Sequence, residues 1–516
     1  MREKNIPSLR VLLVHHAQRS GMTIALVMGL CASLSAQAPD AATASSPQQQ
    51  LDRIATQLST AETRLQESQR EIDSLHQQIA ALRAQLAASS ASPAPTPTAL
   101  APSESSSSAT TADLADKVSV LEAEVEQHDQ TKVESTSKYP VRLTGLVLFN
   151  AFTNHGAVDN FDQPSVAVAQ QPGTSSQVFG ASMRQTTLGV QATGPRLLGA
   201  SSYADVNFDF YGGLQYSNYG STGGLVRLRT GSIKLTWDRD IAEVGLVEPL
   251  ISPLSPTSYA AVAEPAMAWA GNLWTWAPQL SYQHLFNARG GRIGWQFGLW
   301  DPPAAGYTNA DIYRVPSAGE RSSQPAYESR VSYTKGEQGS RGQYQFGLSG
   351  YYSRQSYTAR NGDSWAVTGD LKFPISRFFE LSGEAYRGRA LGGLGGGVYK
   401  DIVSGTDPTS GNPTFRLLND AGGWTQGKIR FTQLFEANAA FGMDNGFSRD
   451  FHSLTLPASA GPAQLRARNQ MISANIVYTP KTYLIISPEY RRIRTFPINS
   501  TASTANIFTL SFGYRF

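Results

Sequence analysis

The clearest candidates for chemistry in this chain are cationic side chains that occur in pairs separated by one residue. Four such pairs are Arg227 and Arg229, Arg387 and Arg389, Lys428 and Arg430, and Arg466 and Arg468. Residues i and i+2 of a β-strand point to the same face of the sheet, so each pair would place two cations side by side. Guanidinium groups bind carboxylates and phosphates through paired hydrogen bonds. The pattern predicts a surface that attracts anions.

Acidic residues are predicted on the same surface, so its charge is mixed. Further expected members are Arg184, Arg491, Asp205, Asp209, Asp370, Glu384 and Glu489. Arg491 is adjacent to Arg492, so their side chains should face opposite ways, with Arg491 on the side of Glu489. From residue 139 onward the chain has 32 Lys and Arg against 25 Asp and Glu, a net charge of +7. A preference for anions is therefore expected.

The elements that must carry these residues alternate between large apolar and small or polar side chains. The chain ends with Phe508, Leu510, Phe512, Tyr514 and Phe516 at every second position. Such a strand suits a sheet with lipid on one side and water on the other. A charge on the lipid side costs about 2–4 kcal/mol at mid-membrane, so the charged residues should face inward. The last strand of a soluble antiparallel barrel is the alternative interpretation.

The period-two pattern predicts an all-β transmembrane barrel of about 16 antiparallel strands over residues 139–516. The predicted strands are 141–152, 182–194, 201–212, 226–238, 242–249, 275–286, 292–301, 326–334, 342–353, 364–373, 377–387, 423–433, 436–443, 468–478, 483–493 and 505–516. Short and long connections alternate between them, as they do in outer-membrane barrels. A barrel of this size encloses water.

The long connection from Pro249 to Trp274, after the fifth predicted strand, is a candidate for a loop that folds into the channel and narrows it. Its constriction candidates are Pro253, Glu264, Trp269 and Trp274, and Glu264 is its only charged residue. A compact, mostly neutral loop opposite a basic wall would make an asymmetric pore. The stretch 392–397 is rich in glycine but lies in a long connection and lacks the lysine that a phosphate-binding motif requires, so it is expected to be flexible.

Residues 1–38 have the pattern of a secretory signal peptide. The apolar run 22–34 follows Arg10 and Arg19, and the small-residue stretch 35–38 could be cleaved. The single cysteine, Cys31, lies in this run, so no disulfide framework is expected.

A helical region is predicted between the signal peptide and the barrel. Residues 39–50 are expected to be flexible, and residues 51–86 carry five heptads typical of a coiled coil. Residues 87–112 form an Ala/Ser/Pro linker, and residues 113–135 form a second short coiled-coil segment.

Three parts of the chain together resemble bacterial outer-membrane porins, and more narrowly the DcaP-like trimeric porins: the heptads at 51–86, the entry strand 141–149 and the closing stretch 469–516. The resemblance implies a homotrimer in the bacterial outer membrane, with the coiled coil in the periplasm. It implies passive diffusion of small hydrophilic solutes, with no cofactor and no nucleic-acid partner. It also implies that a long connection, here Pro249–Trp274, folds into the channel. Outer-membrane lipid and lipopolysaccharide are the other expected partners. The linker at 87–112 departs from the pattern and leaves the position of the coiled coil open.

Two other functions are open at this stage. An outer-membrane hydrolase would need a base, normally histidine, and the barrel region offers only His155, His284 and His452, with no Gly-x-Ser-x-Gly motif or metal-spaced cluster. An enzyme, a catalytic residue and a bound metal are therefore not expected. Alternatively, a structural protein could link the envelope through its coiled coil.

Overall fold

The structure is a computed structural model that describes residues 140–214, 223–305, 315–336, 340, 342–357 and 360–516. The predicted signal peptide, coiled-coil segments and linker, which cover residues 1–135, lie outside the described residues. Within the described part of the chain, no helix is both long and apolar enough to cross a membrane.

Nineteen β-strands make up most of the described chain. They are β1 (Val141–His155), β2 (Gln177–Ser182), β3 (Thr187–Leu197), β4 (Ala200–Asp209), β5 (Arg227–Thr236), β6 (Asp240–Val247), β7 (Ala277–Ala288), β8 (Gly291–Trp300), β9 (Ala326–Lys335), β10 (Tyr344–Ser356), β11 (Asn361–Pro374), β12 (Phe379–Arg389), β13 (Ile402–Thr406), β14 (Pro413–Leu417), β15 (Asn419–Arg430), β16 (Phe435–Gly446), β17 (Arg466–Lys481), β18 (Leu484–Pro497) and β19 (Ser503–Arg515). Short helical turns lie at Glu320–Ser322, Gly392–Leu394, Gly396–Tyr399, Ser448–His452 and Pro462–Leu465.

Seventeen of these strands form one antiparallel sheet that closes on itself, because β1 pairs with β19. Strands β2 and β3 pair with successive parts of β1, residues 150–155 and 141–146. Together they fill one position in the wall, so the barrel has sixteen strand positions. The predicted closed antiparallel barrel is confirmed.

Two parts of the predicted strand pattern are wrong. The predicted strand 182–194 is interrupted at residues 183–186, where the Thr186 hydroxyl accepts a hydrogen bond from the Leu148 amide (3.0 Å). The predicted long connection 388–422 contains the hairpin β13–β14, which forms a separate sheet. Its turn is closed by Asp407, whose carboxylate accepts hydrogen bonds from the Thr409 and Ser410 amides.

The connections differ in length between the two rims. The connections at one end, here called the short-turn rim, run from two residues at 198–199 to eight at 336–343. Most connections at the opposite, long-loop rim are longer, although 357–360 and 498–502 are short. The alternation agrees with the sequence prediction.

The two faces of the wall differ as the period-two pattern predicts. In β19, Phe508 is 50% exposed and Phe512 is 43% exposed, whereas Ser511 between them is fully buried. The inner face is instead covered by polar side chains, among them Asn150, Asn154, Ser349, Ser353, Asn438, Ser473 and Asn475, all of which are buried. The outer face is therefore apolar, as a lipid-exposed surface requires.

The closing seam depends on a close approach between Gly145 and the chain terminus. The Gly145 amide donates to the Phe516 carbonyl (2.9 Å), and the Phe516 amide donates to the Gly145 carbonyl (3.1 Å). A Cβ atom added at Gly145 would lie 2.6 Å from Phe516 Cζ and 2.8 Å from the Thr187 carbonyl oxygen. Only glycine leaves room for the terminal ring at this position.

We expect Gly145→Val to weaken barrel closure, because overpacking of this kind costs about 1–3 kcal/mol. The folded fraction and the thermal midpoint should both fall, as measured by the heat-dependent gel shift of the refolded protein. Gly350→Val is the matched control, since a Cβ atom there meets nothing within 4 Å. Equal losses in the two variants would contradict the proposed role of Gly145.

Candidate functional site: the channel interior

Residues 248–276, which connect β6 to β7 and are here called the inner loop, lie inside the barrel against its wall. The Leu250 amide donates to Glu328 of β9 (3.0 Å). Further along, the Ser252 hydroxyl and the Leu254 amide both donate to the Glu384 carboxylate of β12, at 2.5 and 2.7 Å. The first third of the loop is thus fixed to two carboxylates of the wall.

The middle of the inner loop is fixed to strands β15, β17 and β18. The Thr257 amide donates to the Gln426 side chain (2.7 Å), and the Thr257 carbonyl accepts from Asn475 (2.8 Å). The Ser258 hydroxyl donates to Glu489 (2.5 Å). These strands carry residues far from the loop in sequence, so the loop bridges distant parts of the wall.

The next segment of the inner loop is held at the break between β2 and β3. The Gln185 side chain accepts hydrogen bonds from the Val262 and Ala263 amides (2.6 and 3.2 Å) and donates to the Ala260 carbonyl (3.1 Å). Because the sheet is interrupted at 183–186, Gln185 is buried against the loop and does not continue the regular ladder. The sequence-based prediction that the loop 249–274 folds inward agrees with these contacts.

The pair Arg227 and Arg229 shares a single carboxylate. Asp209, which is fully buried, lies 2.6 Å from Arg227 Nη2 and 3.6 Å from Arg229 Nη1. Arg227 also donates to the Ala263 carbonyl of the inner loop (2.9 Å), and the Arg229 guanidinium lies 4.7 Å from the Trp276 ring centre. Two cations pair with this one carboxylate, and the carboxylates of Glu248 and Glu264 interact with them from a greater distance.

Arg184 lies close to this cluster but is compensated. Its Nη1 atom is 3.0 Å from the Asp162 carboxylate, and its guanidinium lies 4.3 Å from the centre of the Tyr211 ring. The same ring lies 5.5 Å from the guanidinium of Arg227. The Tyr211 ring therefore contacts both Arg184, whose charge is neutralised by Asp162, and Arg227, which shares the Asp209 carboxylate with Arg229.

Glu264 of the inner loop carries a carboxyl group with a raised pKa. Its backbone is held by Gln163, which donates to the Glu264 carbonyl (2.9 Å). Burial, with the neighbouring Asp159 carboxylate, raises the pKa of Glu264 to about 7, although the positive charge of Arg227 opposes the shift. Protonation near neutral pH would remove a negative charge next to the Arg227–Arg229 cluster.

A second charged cluster lies on the inner face near the short-turn rim. Lys428 is 3.0 Å from Glu436, and Arg430 is 3.2 Å from Glu380 and 3.4 Å from Glu436. Two cations and two carboxylates alternate, so this predicted basic pair is neutralised.

The other predicted interior residues form separate contacts. Arg491 is buried and lies 2.6 Å from Glu489, which also accepts from the inner loop. Asp370 is buried 2.8 Å from Arg330. Asp205 accepts from the Ser232 hydroxyl (2.7 Å). Most charges on the inner wall therefore occur as compensated pairs.

The prediction that Arg468 lines the channel is wrong, because its side chain lies on the outer face of the wall. It stands opposite Phe496, with its guanidinium 4.0 Å from that ring, and it shares its face with Ile472, which is 49% exposed. A β-bulge between Arg466 and Arg468 breaks the i, i+2 rule, so the two side chains do not point the same way. Arg466 instead lies 5.9 Å from the ring of Trp269.

The pair Arg387 and Arg389 also lies on the outer face, contrary to the prediction. Arg387 stands opposite Val367, which is 51% exposed, and its guanidinium is 4.3 Å from the Phe447 ring. Arg389 donates to the Asp363 carbonyl (3.0 Å). Near the rim of a barrel the membrane no longer excludes charge, so alternation does not force these arginines inward.

The predicted constriction residues have different environments. Pro253 is exposed, whereas Trp269 is half-buried and stacked on Tyr399 at 4.9 Å. The Trp274 amide donates to the Leu394 carbonyl (3.0 Å). The two tryptophans therefore pack the inner loop against the segment 392–399.

The glycine-rich stretch 392–397 is not the flexible segment predicted from its composition. Its Gly392 amide donates to Asp401 (2.6 Å), and Gly395 and Gly397 adopt positive φ angles of 84° and 58°. A Cβ atom at Gly396 would lie 2.5 Å from the Asp420 carboxylate. These glycines permit a tight, buried turn.

Several interior residues were missed by the sequence analysis. Arg330 and Glu328 alternate with Tyr327, Val331 and Tyr333 in β9, so the period-two pattern could have identified them. Asp162 and Gln185 lie in irregular backbone, where that pattern gives no signal.

His284 belongs to a hydrogen-bonded cluster on the outer face of the barrel. His284 Nδ1 lies 2.6 Å from Asp240, which also accepts from the Tyr282 hydroxyl (2.5 Å), and Tyr282 is 40% exposed on the outer face. The described contacts of His284 include no serine, threonine or cysteine. Among the described residues, no group of three or more His, Cys, Asp or Glu side chains is placed to hold a metal ion.

Removing the Glu384 carboxylate should loosen the inner loop. Glu384→Ala leaves the Ser252 hydroxyl and the Leu254 amide without their acceptor, and each unsatisfied buried group costs about 1–3 kcal/mol. We expect larger and noisier single-channel conductance in planar bilayers.

Glu436→Ala is the charge-matched control for this prediction, since Glu436 pairs with Lys428 and Arg430 instead of the loop. If Glu384→Ala conducted like the parent protein, the loop would be fixed by its other contacts alone.

No protein-family model matches this chain, and no curated protein sequence matches it. Among solved structures, it is similar to the outer membrane channel DcaP of Acinetobacter baumannii, with 16% identity and a TM-score of 0.55 over 75% of this chain and 100% of that one. It is also similar to an anion-selective porin from Comamonas acidovorans, with 12% identity and a TM-score of 0.47 over 73% of this chain and 100% of that one. The closed sixteen-position barrel thus shares its fold with the outer membrane channel DcaP.

Proposed function

We propose that this chain is a bacterial outer-membrane porin that conducts small hydrophilic solutes by passive diffusion. The observation that carries the proposal is the closed barrel with an apolar outer face, a polar inner face and a loop hydrogen-bonded inside it. An apolar exterior suits lipid, and a polar interior suits water and dissolved solutes.

The proposed assembly is a homotrimer in the outer membrane, with the coiled coil at 51–86 in the periplasm and no cofactor. The heptad pattern supports self-association of that segment. Lipopolysaccharide is proposed as a partner at the long-loop rim.

We further propose a preference for anions such as carboxylates. Its support is the Arg227–Arg229–Asp209 cluster, in which two cations share one carboxylate beside the inner loop. The other proposed pore-lining charges are Arg184, Arg330, Lys428, Arg430, Arg491, Asp205, Asp370 and Glu489, most of which are paired. Positive charge at the cluster is greatest when the neighbouring Glu264 is neutral, and such a local charge can set selectivity even when the remaining wall is balanced.

Planar-bilayer recording of the refolded full chain under a salt gradient tests the function. We expect stepwise conductance and a reversal potential with the sign of anion preference. A reversal potential with the sign of cation preference would contradict the proposed selectivity but would leave the proposed channel function intact. Absence of conductance from verified folded protein would reject the channel itself.

The selectivity should depend on Arg227 and Arg229. The double variant Arg227→Gln/Arg229→Gln removes both cations and leaves Asp209, so the reversal potential should move toward cation preference. Arg387→Gln/Arg389→Gln is the matched control, because it removes the same charge from the outer face. Equal shifts in both variants would mean that selectivity follows overall charge and not this cluster.

The selectivity should also depend on pH through Glu264. Because its pKa is raised to about 7, the side chain is mostly ionised at pH 8.5 and mostly neutral at pH 5.5. Lowering the pH across this range should increase anion preference, with a midpoint near pH 7. The Glu264→Gln variant should lack this transition. At every pH it should show the selectivity that the parent protein shows at low pH. A parent-like pH profile in the variant would assign the titration to another group.

A further inference from the structure

The short-turn rim carries an exposed apolar patch where two neighbouring turns meet. The turns 375–378 and 431–434 are in contact, because the Arg430 amide donates to the Phe378 carbonyl (2.8 Å). Both turns lie beyond the ends of the strands that they join. Their large apolar side chains, here called the rim patch, are between 44% and 60% exposed: Ile375, Phe378, Phe431 and Leu434. A contiguous exposed apolar surface of this kind is typical of a binding site.

Exposed cations border the rim patch and continue along the short-turn rim. Arg377 belongs to the turn 375–378, and its guanidinium lies 4.5 Å from the centre of the Phe378 ring. The other exposed cations lie within two residues of a turn or a chain end at this rim: Arg142, Arg196, Arg239, Arg289, Arg292, Lys335, Lys481 and Arg515. Among the described residues in these positions, Asp238 is the exposed acidic side chain. The rim is therefore basic around its apolar patch.

The segment 113–135, which lies outside the described residues, has the complementary pattern in its sequence. It contains seven acidic residues and two lysines, a net charge of −5. In the predicted heptads, Glu122, Glu124 and Asp129 directly border the apolar seam. The seam residues are Leu114, Val118, Leu121 and Val125. A predicted helix with an apolar stripe and acidic borders would match an apolar patch with basic borders.

The sequence gives this segment little basis for pairing with copies of itself. Its seam covers less than two heptads, and His128 occupies the next seam position. In a parallel pair, Lys117 of one helix would face Glu122 of its neighbour, but Glu124 would face Asp129. One favourable and one repulsive contact leave no clear electrostatic gain. A helix this short needs an apolar surface from elsewhere to be stable.

The chain is long enough to bring this segment to the rim patch. Strand β1 begins at the short-turn rim with Val141, so residues 136–140 can span at most about 17 Å from it. A helix over 113–135 would be about 35 Å long. Only β19, β18 and β17 separate β1 from β16, the strand that follows the turn 431–434. At about 5 Å between neighbouring strands, this turn is about 20 Å from β1.

We propose that residues 113–135 dock as an amphipathic helix on the rim patch of their own chain. The apolar seam would cover the four side chains of the patch, and the bordering acids would face Arg377 and Lys481. The inference goes beyond the proposed channel function. It depends on the described rim and on the sequence of the segment, and not on the selectivity of the pore.

The test places a photoreactive benzoylphenylalanine at position 121 of the refolded full chain and maps its cross-links by peptide mass spectrometry. We expect cross-links to the turns 375–378 and 431–434 that leave the protein at monomer mass on a denaturing gel. Glu122→Gln/Asp129→Asn should lower their yield at least fivefold, because it removes charge beside the seam. Asp116→Asn/Glu134→Gln is the matched control, since it removes the same charge from the opposite side of the predicted helix, and its yield should stay within twofold of the parent.

A second pair of variants tests the rim itself. Phe431→Ser/Leu434→Ser should lower the cross-linking yield at least fivefold. Leu198→Ser is the control, because Leu198 is 90% exposed on the same rim but outside the rim patch. The heat-dependent gel shift verifies that each variant is folded.

Three results would overturn the proposal. Cross-links between the segments 113–135 of two chains would mean that the segment self-associates. Cross-links to detergent or lipid alone would place the segment at the membrane surface. An unchanged yield in Phe431→Ser/Leu434→Ser would mean that the rim patch is not the docking site. Cross-linking does not require conductance, so failure here is distinguishable from failure of the proposed channel.

Discussion

The closed ladder of backbone hydrogen bonds is the interaction on which the rest of this structure depends. Lipid offers no partners for amide and carbonyl groups, so a sheet can face it only if no strand edge remains free. The pairing of β1 with β19 removes that edge. Closure also separates the two faces of every strand, one toward lipid and one toward an enclosed interior.

Closure creates a second requirement, because the enclosed polar groups need partners of their own. The inner loop supplies many of them: its amides and hydroxyls donate hydrogen bonds to Glu328, Glu384 and Glu489. The carboxylates that contact the loop accept short hydrogen bonds from it. Most cations of the wall have carboxylate partners. The cluster at Asp209 differs because two arginines share one acid. Local imbalance, and not the total charge of the barrel, is therefore the basis of the proposed selectivity.

The sequence predicts the barrel well because lipid imposes a strict two-residue period on the outer face. The same rule assigns Asp209, Asp370, Lys428 and Arg491 to positions that the structure places on the inner face. It fails where the backbone is irregular, as at the bulge beside Arg468, and near the rims, where Arg387 faces outward without crossing apolar lipid. Composition alone also misassigned the segment 392–397, since glycine serves there for close packing and not for mobility.

The contacts of the inner loop have a consequence for the order in which the chain assembles. Its partners include Gln185 on one side in sequence and Gln426, Asn475 and Glu489 on the other. The contact between Ser258 and Glu489 joins residues 231 positions apart. Such distant contacts form late and slowly, because a long loop must be ordered before they are made. Docking of the loop is thus coupled to arrival of the last strands, so a barrel that has not yet closed would also lack a docked inner loop.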